Sequence, residues 1–266
     1  MNHSLNGRPL VAIVGDVSQH EVDEVAAPLA DTADWTHLGG VASAIECLAN
    51  ASLQPELIVL LQQRPGEIGE VEVRRLQSAA PLAGMYAVLG SWCEGETRTG
   101  QPSPGVARIY RHDWPIQCRA ELSRRTRCEV PHWSLPFTVS MEERFLDRCR
   151  PLNSVVRAEL IAVVAGSRET AIALADACRS AGLSVASKPA KATAILWDTT
   201  IEMARDAKQV AAIKANSVTA PVIALVSYPR KSDCQKMLAA GVDAVLTKPF
   251  LLDDLLAEIE RLTATR

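Results

Sequence analysis

A chain of 266 residues with 48% hydrophobic and 22% charged side chains is long enough for two ordinary domains and apolar enough to bury a core in each. Its formal charge of −3 and pI near 6.0 leave no basic footprint for nucleic acid, and no run approaches the roughly 18 apolar residues of a membrane span. Seven cysteines, an odd number at irregular spacing without a CxxC pair, argue against a secreted disulfide framework and a zinc ligand set. The opening stretch MNHSLNGRPLVAIVGD lacks a basic region followed by a long apolar run, so no signal peptide is expected. The expectation is a cytoplasmic protein with mostly buried, reduced thiols.

In chain order, PLVAIVGD (9–16) predicts a strand and EVDEVAAPLA a helix; DWTHL predicts a strand and GVASAIECLAN a helix. PELIVLL (55–61) predicts a third strand, EVRRLQSAA a helix, GMYAVLGS (84–91) a fourth strand and VARIYRHDW (106–114) a fifth. Between the last two lies a long loop, GSWCEGETRTGQPSPG (90–105), in which Trp92 is expected to pack. Arg124, Arg125 and Arg127 read as solvated surface. The stretch 125–157 is interrupted by Pro131, Pro136 and Pro151, with a helix expected across MEERFLDRC (141–149). Its Trp133, Leu135, Phe137 and Phe145 are too apolar for a free linker, so it is expected to pack as a bridge.

The second half alternates strand and helix more regularly. LIAVVAG (160–166) is an apolar strand, and RETAIALADACRSA places Ala171, Leu174, Ala175 and Cys178 on one helical stripe ended by Gly182. LSVAS predicts a short strand, ATAILWD (192–198) a buried one, and IEMARDAKQVAAIKAN one helix. PVIALVS (221–227), a helix near 230–240, AVLT (244–247) and the helix LLDDLLAEIERL complete the series, and Trp197 is expected to pack under a helix. Strands alternating with helices imply a parallel sheet covered on both faces.

The segment AVLTKPF carries Lys248-Pro249-Phe250 after the last strand, Asp198 ends the third, and PVIAL and GVDAVLTKP complete the pattern. With these motifs residues 160–264 resemble a response-regulator receiver domain. The resemblance implies a flavodoxin-like α/β fold, with Asp198 at the phospho-acceptor position and Lys248 at the phosphate-binding position. It also implies an acidic pair for Mg²⁺ after the first strand, a hydroxyl after the fourth and an aromatic residue three positions before the lysine. A dianionic phosphoryl group needs a divalent cation and an ammonium to neutralise its charge. By sequence spacing the acidic pair falls on Ala165 and Gly166, the hydroxyl on Val226 with Ser227 one residue late, and the aromatic position on Val245. Asp198 alone would hold Mg²⁺ poorly. In the first half the likeness is more remote: Leu61 takes the acceptor position, Asp16 is the remnant of the acidic pair, and no Lys-Pro motif follows the fifth strand.

The fold expected is therefore α/β, two tandem flavodoxin-like (receiver-like) domains, each a parallel five-stranded sheet with helices on both faces. The first spans 8–124, the packed bridge 125–157, and the degenerate receiver 158–266. No output module is expected after the last helix. The function expected is a non-enzymatic signalling adaptor, acting by contact with a protein partner in a two-component or phosphorelay context without phosphotransfer. Nucleic acid, membrane, cofactors and metals are not expected as partners; His3, His20, His37, His112 and His132 show no metal-ligand spacing. Two alternatives stand beside it. Asp198 accepts a phosphoryl group atypically, or the 90–105 loop forms a small-ligand or enzymatic site from Cys93, Glu94, Arg98 and His112, with the thiol activated by the histidine.

Overall fold

A computed structural model describes residues 7–50, 53–93, 95–96, 100, 103–126, 128–136, 138–139, 143, 159–216 and 219–264. The chain divides into two compact units, 1–148 and 149–266. None of the described helices is long and apolar enough to cross a membrane.

In the first unit the order is β1 (Leu10–Val14), α1 (Gln19–Ala26), β2 (Asp34–His37), α2 (Val41–Ala49), β3 (Leu57–Gln62), α3 (Glu70–Ala79), β4 (Gly84–Leu89), β5 (Val106–Tyr110) and α4 (Trp114–Thr126). The five strands are parallel and lie in the order β2-β1-β3-β4-β5, the flavodoxin-like order. Alternate residues feed two cores. Val11, Ile13, Leu61, Val88 and Ile109 meet Val22 and Val25 of α1 and Trp114 and Leu122 of α4. Ala12, Val14, Leu60, Ala87 and Leu89 meet Leu48 of α2 and Leu76 of α3. Burial on both faces explains why these strands read as continuous apolar runs rather than alternating ones.

The second unit runs β6 (Leu160–Val164), α5 (Arg168–Ser180), β7 (Ser184–Val185), β8 (Ala194–Asp198), α6 (Ile201–Arg205), α7 (Ala207–Lys214), β9 (Val222–Ser227), α8 (Lys231–Ala239), β10 (Ala244–Lys248) and α9 (Leu252–Ala264). Its parallel order β10-β9-β8-β6-β7 is the same arrangement. Trp197 is buried with Ala204 of α6, Val210 of α7 and Met237 of α8.

Four local expectations need correcting. The helix expected across 201–216 is split at Asp206, whose extended backbone and side chain, accepting from the Lys208 amide at 2.9 Å, cap a new helix. The strand expected across 106–114 ends at Tyr110, and Trp114 instead opens helix α4, whose Pro115 is tolerated in a helix's first turn. The indole of Trp114 fixes its start by donating to the Val25 carbonyl at 2.9 Å. Arg125 is not simple solvated surface: it grips Glu56 through Nη2 at 2.9 Å and Nε at 3.3 Å and reaches the Gly7 carbonyl at 2.5 Å. Trp92 is 79% exposed, since the 3₁₀ turn Ser91–Cys93 turns Cys93 inward instead.

Residues 131–135 seat on the first unit. A 3₁₀ turn, His132–Ser134, places Trp133 in the α1–α4 core at 4% exposure. The buried Glu121 accepts from the His132 amide at 2.7 Å and pairs with His132 Nδ1. Phe137, Phe145 and, Glu143 apart, the helix expected across 141–149 lie outside the described residues.

Gly84, at the start of β4, is where this turn makes its closest approach: a Cβ there would stand 2.0 Å from the Trp133 carbonyl oxygen. Gly84→Ala is therefore expected to cost about 1–3 kcal/mol, as overpacking does, measured as a lowered urea midpoint. An unchanged midpoint would show that 131–135 is not seated on β4.

Candidate functional site

In each parallel sheet the strands deliver their last side chains to one edge, the carboxyl edge, where flavodoxin-like folds bind ligands. In the second unit that edge carries Asp198 at the end of β8 and Lys248 at the end of β10, with β9 between them. Two strand spacings separate β8 from β10, roughly 10 Å, and the long lysine stem spans them. Its Nζ donates to Asp198 Oδ1 at 2.6 Å, with the side chains 32% and 18% exposed.

Register decides which neighbours share this side. Lys248 pairs with Ser227, and Asp198 with Leu225, two residues earlier on β9. Alternation along β9 then puts Ser227 on the side of Asp198 and Lys248. Val226, fully buried, joins the core around Trp197. The sequence expectation that Ser227 is misplaced by one residue is thus corrected. Sequence spacing does not measure the hydrogen-bonded register between strands, which sets the side each residue faces. Asp198, Ser227 and Lys248 all border one cleft of about 600 Å³.

After β6 come Ala165 and Gly166, which also line the cleft and offer no side-chain ligand. A Cβ on Gly166 would meet nothing within 4 Å, so that corner is open. Val245, at the aromatic position, packs partly buried against the Trp197 core. Among the described residues no group of three or more His, Cys, Asp or Glu side chains could hold a metal ion.

The first unit fills the same positions differently. Val14 pairs with Leu60 and Leu61 with Val88, as Val164 pairs with Trp197 and Asp198 with Leu225. Leu61 therefore stands where Asp198 does, Gly90 where Ser227 does and Arg111 where Lys248 does. Sequence reasoning missed Arg111 because it sought a Lys-Pro motif; the signal available was a cation two residues beyond Ile109 of β5. With Leu61 apolar, the 7%-exposed Arg111 turns to α1, donating from Nη1 to Glu21 Oε1 at 2.8 Å, with Glu24 at 3.8 Å. Burial pushes the Glu21 carboxyl up, but hydrogen bonds from Arg111 and Ser18 prevail and hold it below the ordinary glutamate value.

The candidate loop residues do not form a catalytic pair. Cys93 is fully buried, its thiol donating to the Gln62 carbonyl at 3.7 Å. Burial, reinforced by Glu96 and Glu67, pushes the thiol up to about 11, the wrong direction for a nucleophile. His112 stacks on Tyr110 at 5.5 Å with Nε2 3.6 Å from Asp113, and no hydrogen bond joins it to Cys93. Glu94 and Arg98 lie outside the described residues. Arg108 ties the loop down by donating to the Glu96 carbonyl at 2.6 Å.

No protein-family model matches the chain, and no curated protein does. Among solved structures, a response regulator from Thermotoga maritima is similar at 22% identity and a TM-score of 0.33, over 41% of this chain and 99% of that one. The C-terminus of RcsC from E. coli, containing a linker region and phosphoreceiver domain, is similar at 14% identity and a TM-score of 0.32, over 100% of this chain and 97% of that one. Likenesses of this degree carry no argument about activity; the strand order itself establishes a receiver-like α/β fold in both units.

Two measurements check this geometry. Lys248→Ala is expected to change unfolding free energy by no more than about 1 kcal/mol, as for a partly exposed pair; a loss of several would mean that Asp198 is left buried and unpaired. With iodoacetamide at mildly alkaline pH, the exposed Cys47 and Cys128 should be alkylated and Cys93 spared, its labelling rising only toward pH values near 11. Prompt labelling of Cys93 in the folded protein would refute its burial.

Proposed function

We propose that the chain is a signalling adaptor of the two-component type, whose receiver-like units act by contact with a protein partner and without phosphotransfer. The observation that carries this reading is the pair Ala165 and Gly166 at the mouth of the cleft. Where phosphoryl transfer to Asp198 would need carboxylates for a divalent cation, the chain supplies a methyl group and a hydrogen. The Asp198–Lys248 ion pair supports it further, because the carboxylate already has an internal counterion. A frame kept without its metal ligands retains surface and shape, and Tyr228, 68% exposed immediately after β9, offers an aromatic contact beside the site.

A second reading, phosphoryl acceptance at Asp198, is favoured by one observation: Ser227 joins Asp198 and Lys248 on the same side of the sheet. One experiment decides between them. Trp197 adjoins Asp198 in the chain and its fluorescence reports on the cleft, with Trp197→Phe as the blank. Titration with Mg²⁺ and beryllofluoride is expected to leave that signal unchanged, and affinity capture with and without acetyl phosphate to return the same partner. A saturable, Mg²⁺-dependent change abolished by Asp198→Asn would establish the second reading and overturn the first.

A further inference from the structure

The cleft at the carboxyl edge of the second unit has a composition that phosphoryl chemistry does not explain. Its volume, about 600 Å³, lies in the range of small-molecule sites, and such sites are mostly apolar with a few convergent polar groups. Here Val164, Ile201, Met203 and Ile213 supply apolar wall, and the open corner at Gly166 admits a ligand's body.

The polar groups fix the sign of the ligand. Lys248 is engaged with Oδ1 of Asp198. Asp198 Oδ2 accepts no hydrogen bond among the described residues, and Glu202, which also lines the cleft, has neither a hydrogen-bond nor an ion-pair partner for its side chain there. Two carboxylates thus face one ammonium. A monocation brings the site to neutrality, whereas an anion adds to uncompensated negative charge. Among the described residues no group of three or more His, Cys, Asp or Glu side chains gathers there to hold a divalent metal.

We propose that this cleft binds a small organic monocation, an alkyl- or aralkylammonium. Its ammonium lies toward the carboxylate oxygens of Asp198 and Glu202, and its apolar body lies along Ile201 and Met203. The binding stands apart from the adaptor reading, since it holds or fails whether or not a protein partner exists.

The test uses the intact protein and three probes of similar shape and different charge: benzylamine, benzyl alcohol and benzoate, followed by amide chemical shifts. Benzylamine is expected to give saturable shifts at Thr199, Glu202 and Ser227, with benzoate silent and benzyl alcohol weaker. Glu202→Gln should weaken benzylamine about fivefold, the upper end of what a partly exposed charge pair contributes. Ala165→Leu, which fills the open mouth, should abolish binding while leaving shifts outside the cleft in place; if that variant misfolds, the exposed Glu202→Gln decides alone. Equal binding of benzoate, shifts outside the cleft, insensitivity to Glu202→Gln, or no binding of benzylamine would each overturn the proposal.

Discussion

Both sheets are parallel and their central strands are buried on both faces, and this constraint governs where chemistry can reside. A central strand covered on each side by helices is apolar along most of its length, so its polar side chains gather at its ends. At the carboxyl ends the connecting loops diverge and leave a crevice. Asp198, Ser227 and Lys248 are all last residues of their strands, and Arg111 directly follows the last residue of its own. Their positions follow from register more than from any local sequence pattern.

The two units show how one framework accommodates opposite solutions at equivalent positions. With an aspartate at the end of β8, the lysine two strands away reaches across β9 and satisfies it within the sheet edge. With Leu61 at the equivalent place in the first unit, no such partner exists, and Arg111 draws its counterion from helix α1. The first arrangement leaves an open cleft bordered by a half-exposed pair. The second buries the cation and ties α1 to β5, a structural use of the position. That difference locates the candidate site in the second unit.

The 90–105 loop shows why reactive residue types are weak guides alone. Cys93 owes its place to the inward side of a 3₁₀ turn, where the surrounding apolar core and two glutamates keep it protonated. His112 is held against Tyr110 and near Asp113. At the opposite end of the same sheet, Gly84 is small because the Trp133 backbone lies on it, a contact between positions 49 residues apart in the chain numbering. Neither relation leaves a local mark in the sequence.

What the sequence determined by itself was the alternation of apolar strands with amphipathic helices, and with it the parallel architecture of both units. Periodicity and burial act over a few residues, so they are written locally. The Lys-Pro motif and Asp198 were legible for the same reason. The tertiary structure alone decided that Ser227, not Val226, faces Lys248, that Arg111 takes the lysine's place in the first unit, and that Cys93 and His112 do not act together. Each of these depends on strand register or on a packed neighbour far away in the chain. A one-residue change of register reverses the side a residue faces, and hydrogen bonding between strands, which sequence spacing does not measure, fixes it.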